Sequence, residues 1–250
     1  MDVILSVRDL CKSFGALRAV DGVSFSVAAS EIFGIAGPNG SGKSTLFNAI
    51  TALPFPADSG SVTLLGRDIT REAPQEICHL GLARTFQRET AFESLSMRQN
   101  LMLGAIYGPG SSRRSDRAAR VERAFDLIEM PPSRRESLMS EASVFDRKRV
   151  MLASALVMQP KIILLDEPVA GLTRDEIAET VAIVRRVNES GVAIVIVEHV
   201  LPALLSLSQR LMVLNNGRLL RQGKPEEILR DQAVIEAYLG KRGVADAAAS

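Results

Sequence analysis

The stretch GPNGSGKST, Gly37 to Thr45, lies between the apolar run EIFGIA and the helix-forming TLFNAIT. It matches G-x-x-x-x-G-K-[ST] in the setting where that pattern has mechanical meaning, a strand that turns directly into a helix. Gly37, Gly40 and Gly42 free the backbone so that successive N–H groups, those of Pro38's neighbours Asn39 to Ser41 among them, converge on anionic oxygens. The helix start adds its positive end. Lys43 then supplies a point charge to terminal phosphates, and the Ser44 hydroxyl, followed by Thr45, suits Mg²⁺. The competing reading is an ordinary glycine-rich turn, and the matched flanks weigh against it.

A loop of this kind needs a buried strand behind it, and the chain supplies several. Ile32 to Ala36, Ile162 to Leu165 and Val192 to Val197 are continuous apolar runs, as in strands covered on both faces. All are far shorter than the ~20 residues that span a bilayer. IILLDEP sets Asp166 at a strand end, where a Mg²⁺ shell would lie, and Glu167 next to it as a general base for water. The pair could instead cap a helix, a reading the upstream loop weakens. Val3 to Leu10, Val23 to Val27 and Ser61 to Leu65 read as earlier strands. Leu211 to Leu214, NNG and RLLR read as a hairpin with Asn216 and Gly217 at positive φ.

The middle of the chain has a different period. Ser115 to Met130 places Ala118, Val121, Phe125 and Ile128 on one helical face, stopped by Pro131 and Pro132. Arg147 to Met158 reads as a second helix. GPGSSRRS is loop chemistry, and VADAAAS at the end has no periodicity. The expected organisation is a core made of residues 1–88 and 160–240, a helical insertion over 89–159, and a tail over 241–250. With 30 Lys+Arg against 29 Asp+Glu, a net charge of +1 offers no case for a nucleic-acid binder. Cys11 and Cys78 form neither a framework nor a metal pattern, and the start MDVILSVRDL is unlike a signal peptide.

GPNGSGKST, RTFQ, LLDEP and VEH, in that order, resemble the nucleotide-binding subunit of ATP-binding cassette transporters over nearly the whole chain. GLARTFQ, EPVAGL, VEHVLPAL and VIEAYLG are similar to the group that imports branched-chain amino acids, urea and amides. The resemblance implies an α/β P-loop NTPase cassette with an antiparallel β subdomain and a helical insertion. It implies ATP and Mg²⁺ as ligands, and Phe14 of KSFG stacking on adenine, where the alternative is a core aromatic. Gln87 would reach Mg²⁺ and the attacking water, and His199 the γ-phosphate. Residues after Gln87, RETAFESLSMRQN, would face two membrane-spanning permease subunits at the cytoplasmic face of the membrane, with an external solute-binding protein as an indirect partner. A solvated loop is the alternative there.

Two departures stand out. Where the family places LSGGQ at a helix start, this chain has ASVFD, so Ser143 survives while Phe145 replaces the key glycine and Asp146 the glutamine. The expectation is that Phe145 fills the space that amides need for phosphate. Asp146 would add repulsion of about 4 kcal/mol at ~4 Å in an effective dielectric near ~20. Ser143 and Asp146 would keep only a capping box. Thr173 stands where the family has Asp or Asn, and forms another capping box with Glu176. Since such subunits pair head to tail, a heterodimer with a second ATP-binding subunit follows. A regulatory subunit with little turnover, or a non-transport cassette ATPase, stays open.

Overall fold

The computed structural model describes residues 2–86, 91–109 and 113–238. Gln87 and the tail therefore lie outside the described residues. In chain order the elements are β1 (Val3–Phe14), β2 (Leu17–Ala28), β3 (Ile32–Ala36), α1 (Lys43–Thr51), β4 (Ser59–Leu64), β5 (Arg67–Asp68), α2 (Pro74–His79) and β6 (Leu82–Arg84). There follow α3 (Met97–Tyr107), α4 (Arg114–Leu127), α5 (Val144–Leu156), β7 (Ile162–Asp166), α6 (Arg174–Glu189), β8 (Ala193–Val197), α7 (Leu201–Leu207), β9 (Arg210–Asn215), β10 (Arg218–Gly223) and α8 (Pro225–Ile228).

Two sheets form. An antiparallel one has the order β2-β1-β4-β5, and a six-stranded one has the order β10-β9-β3-β8-β7-β6. In the second, β6, β7, β8, β3 and β9 run parallel and only β10 turns back. The apolar runs explain why. Along β7, Ile162 and Leu164 enter one core together with Val7, Val27 and α1 residues Leu46, Phe47 and Ile50. Ile163 and Leu165 enter the opposite core with residues of α3, α4, α5 and α6. Side chains alternate faces along a strand, so a strand covered on both sides must be apolar throughout. Helix α1 thus lies in the core between the two sheets, and the phosphate loop is delivered at the edge of that layer.

The helices between β6 and β7 pack on one another through Met97, Leu101, Val121, Phe125 and Ile128. The expected face of α4 is correct except at Ala118, which is exposed; Ala124 is buried instead. Helix α5 begins at Val144, ahead of the expected Arg147, because Ser143 caps it. Thr173 and Glu176 form the full reciprocal capping box at the start of α6. The turn after β9 holds Asn216 at φ 49° and Gly217 at φ 78°. No described helix is long and apolar enough to cross a membrane.

Candidate functional site

Strand β3 ends at Ala36, and Gly37 to Gly42 wrap into the first turn of α1. Gly42 caps α1 at φ 103° with no side chain on the orphan amides, and no acidic residue lies in the first turn. The positive end of this helix is left for an anion. A Cβ on Gly42 would stand 2.2 Å from the Ala19 carbonyl oxygen, so side chain and backbone conformation both exclude other residues. The loop is also stitched to its neighbours: Gly217 N donates to Ser41 O at 3.0 Å, and Asp21 N to Gly217 O at 2.8 Å.

Lys43 is buried at 5 % exposure. Its Nζ donates to Gly37 O at 2.8 Å and Pro38 O at 3.0 Å, with Ser41 Oγ at 3.5 Å. Burial pulls its pKa down, opposed by the charges of Glu167 and Asp166. The ammonium is thus stored on its own loop's carbonyls, facing two carboxylates.

A cleft of about 830 Å³ opens over this loop, lined by Asn39 to Thr45, by Phe14, Arg18 and Ala19, by Glu167 and His199, and by Asn216 and Gly217. Phe14 is half exposed, and its ring meets Phe55 edge-on at 4.9 Å between centroids. The Lys12 ammonium stands over the same ring, 5.7 Å from its centre, and the ring lines the cleft. Ser44 is exposed. Glu167, at φ 52°, follows the end of β7 and is 9 % exposed. His199 Nε2 lies 2.8 Å from its Oε1.

Asp166, the last residue of β7, is 4 % exposed. Its Oδ2 accepts from Arg84 Nη2 at 3.0 Å, while Oδ1 is buried with no hydrogen-bond partner. Desolvation raises its pKa against the pull of Arg84. A buried carboxylate oxygen without a donor is costly. With the exposed Ser44 hydroxyl, this hard oxygen donor set fits Mg²⁺ held by one or two protein ligands alongside phosphate oxygens. Among the described residues no cluster of His, Cys, Asp and Glu forms a metal site by itself.

The cleft therefore gathers Phe14, the loop, Glu167 and His199, whereas the buried Asp166 does not line it, and neither do Ser143, Phe145 and Asp146. Around those three the structure corrects the expected chemistry. Ser143 Oγ accepts from Asp146 N at 3.1 Å, but the reciprocal half of the box is absent. The Asp146 carboxylate, 7 % exposed, turns inward to Arg134 Nη2 at 2.9 Å and to Arg149. Its charge is paired within the chain by two guanidiniums, which offsets the repulsion expected of a lone carboxylate. Phe145 is also buried, with the Arg149 guanidinium 4.3 Å from its ring centre. Val144 is the side chain exposed at this helix start, at 48 %.

Sequence reasoning missed two charged groups. Arg84 ends β6 and binds Asp166. Glu198, 1 % exposed, accepts from Val169 N at 2.7 Å through one oxygen, and from His199 N at 2.9 Å and Val200 N at 3.2 Å through the other. It ties the loop after Glu167 to the backbone of His199. The available signal was a charge closing an all-apolar strand, which must find a buried partner.

The ABC transporter family profile matches residues 20–170, and that of the branched-chain amino acid ATP-binding cassette transporters matches residues 222–244. The probable branched-chain amino acid transport ATP-binding protein LivG of Methanocaldococcus jannaschii is 34 % identical over 95 % of this chain and 98 % of its own. The lipopolysaccharide export system ATP-binding protein LptB of Escherichia coli is 32 % identical over 95 % of this chain and 97 % of its own. The ADP conformation of an ATP-binding cassette of an ABC transporter superposes with a TM-score of 0.88 at 30 % identity, covering 96 % of this chain and all of that one.

Proposed function

The chain belongs to the ABC transporter family as an ATP-binding subunit, and from that premise we propose that it hydrolyses ATP to drive an importer of branched-chain amino acids or a similar small polar solute. The carrying observation is the single cleft in which the phosphate loop faces Glu167 and His199. The match of residues 222–244 supports the solute class. In this reading Phe14 stacks on adenine and Gly37 to Thr45 wrap the phosphates. Ser44, Asp166 and Gln87 would hold Mg²⁺, which when bound neutralises charge on the phosphate oxygens. Glu167 takes a proton from the attacking water while His199 orients its carboxylate and reaches toward the γ-phosphate.

The membrane partners are two permease subunits, met at the cytoplasmic face through the surface that includes exposed Phe92. Solute choice lies with them and with an external binding protein. Comparable identity to relatives named for amino-acid transport and for lipopolysaccharide export supports that division.

The second half of each site comes from another subunit, and here a heterodimer is proposed. The start of α5 has no glycine: Val144 stands exposed on it and Phe145 occupies the next position. Close approach of amides to a partner's phosphate is thereby hindered, although Ser143 and the helix start remain. Val144→Gly with Phe145→Gly, leaving Asp146 on its arginines, should raise ATP hydrolysis by the isolated chain about tenfold or more, since one restored amide donor is worth at least that. Phosphate release at matched protein concentration measures it. A folded double variant that stays at the parental rate would rule out the altered helix start as the reason for heterodimerisation.

A further inference from the structure

We infer that Arg84 is a positioning residue for the metal-nucleotide site, locking Asp166 and helix α1 together so that Asp166 Oδ1 and Ser44 present themselves as a pair. This rests on the ATP-hydrolysis reading above. Arg84 is the last residue of β6, paired alongside Leu164 of β7. Its side chain is 7 % exposed, with Phe47 and Phe86 ring centres 5.5 and 5.0 Å from the guanidinium carbon. One arm, Nη2, donates to Asp166 Oδ2 at 3.0 Å. The other, Nη1, donates to Asn48 Oδ1 at 2.7 Å and Thr51 Oγ1 at 3.3 Å, both on α1.

The geometry has two consequences. Asp166 is pinned through one oxygen, with its own N–H donating to Thr85 Oγ1 at 3.3 Å, so the carboxylate cannot swing and the partnerless Oδ1 keeps a fixed direction. Asn48 lies one helical turn after Ser44, on the same face of α1. The guanidinium therefore grips α1 directly behind the hydroxyl that must share the cation with Asp166. A planar fork presents two separate nitrogens to the two elements, whereas a lysine has to reach both from one nitrogen on a flexible stem.

The test is equilibrium binding of a fluorescent ATP analogue to the full-length chain, in EDTA and across a Mg²⁺ titration, with Arg84→Lys. In EDTA the variant should bind within about twofold of the parent. The Mg²⁺ concentration giving half of the metal-dependent tightening should rise at least tenfold, and the Mg²⁺ requirement for hydrolysis should move with it. An unchanged Mg²⁺ requirement, or an equal loss of affinity with and without the metal, would overturn the inference, because a purely structural role weakens both alike. Should Arg84→Lys not fold, Asn48→Ala with Thr51→Val removes only the α1 arm. A severalfold higher Mg²⁺ requirement then supports the inference and an unchanged one overturns it. A parent chain that bound nucleotide in neither condition would instead refute the ATP-hydrolysis reading.

Discussion

Glu167→Gln is expected to stop turnover while ATP binding persists. Glu167 Oε1 sits 2.8 Å from His199 Nε2, at the end of a buried strand and facing the phosphate loop. Glutamine keeps the size and an oxygen for His199 but cannot take a proton. General-base catalysis contributes about 10²–10⁴-fold, so phosphate release should fall by at least ~100-fold. The nucleotide dissociation constant should stay within a few-fold of the parent, since the phosphates are held by Lys43 and the loop amides. Steady-state release and equilibrium binding on one preparation separate the two effects. A variant that still turns over at a tenth of the parental rate would place the base elsewhere.

The second large effect is on binding. Lys43 bonds to Gly37 O and Pro38 O, two neutral acceptors that, in the proposed function, it would exchange for phosphate oxygens. Charge-assisted bonds are worth about 1.5–3 kcal/mol each, so losing two should weaken ATP binding by about 10²-fold or more. Lys43→Ala also strips both carbonyls of their donor and leaves Asp166 and Glu167 without the cation that faces them. Isothermal titration of ATP in EDTA is the clean measurement, because it removes the metal from the comparison. Affinity within threefold of the parent would show that the loop amides alone hold the phosphates.

Much of this architecture was legible because it is local. The glycine spacing of Gly37 to Thr45, the unbroken apolar runs of β3, β7 and β8, and the Asn216-Gly217 turn each encode their geometry within a few residues. So does Thr173 with Glu176. What escaped depended on partners far along the chain. Nothing next to Asp146 announces that Arg134, twelve residues earlier in the chain, will draw its carboxylate inward. With that carboxylate goes Phe145, under Arg149, and Val144 is left outward. A helix start read as electrostatically hostile instead has its carboxylate paired with two guanidiniums and is crowded by side chains. Arg84 escaped for the same reason: its partners Asn48, Thr51 and Asp166 come from two other elements. The slip at Ala118 is smaller, an amphipathic face rotated by the tertiary contacts of α4.

The contact of Gly217 with Ser41, and of Asp21 with Gly217, alters what counts as a harmless surface position. Reverse turns between neighbouring strands ordinarily tolerate added or exchanged residues, and fusion tags or epitope loops are often grafted into them. In this chain the β9–β10 turn is a clasp, closed on the hairpin that carries Phe14 and on the loop that carries Lys43. Lengthening it would leave the hydrophobic layers intact and yet loosen the hold on base and phosphates together. An engineer seeking a permissive grafting point should look to another edge of the molecule.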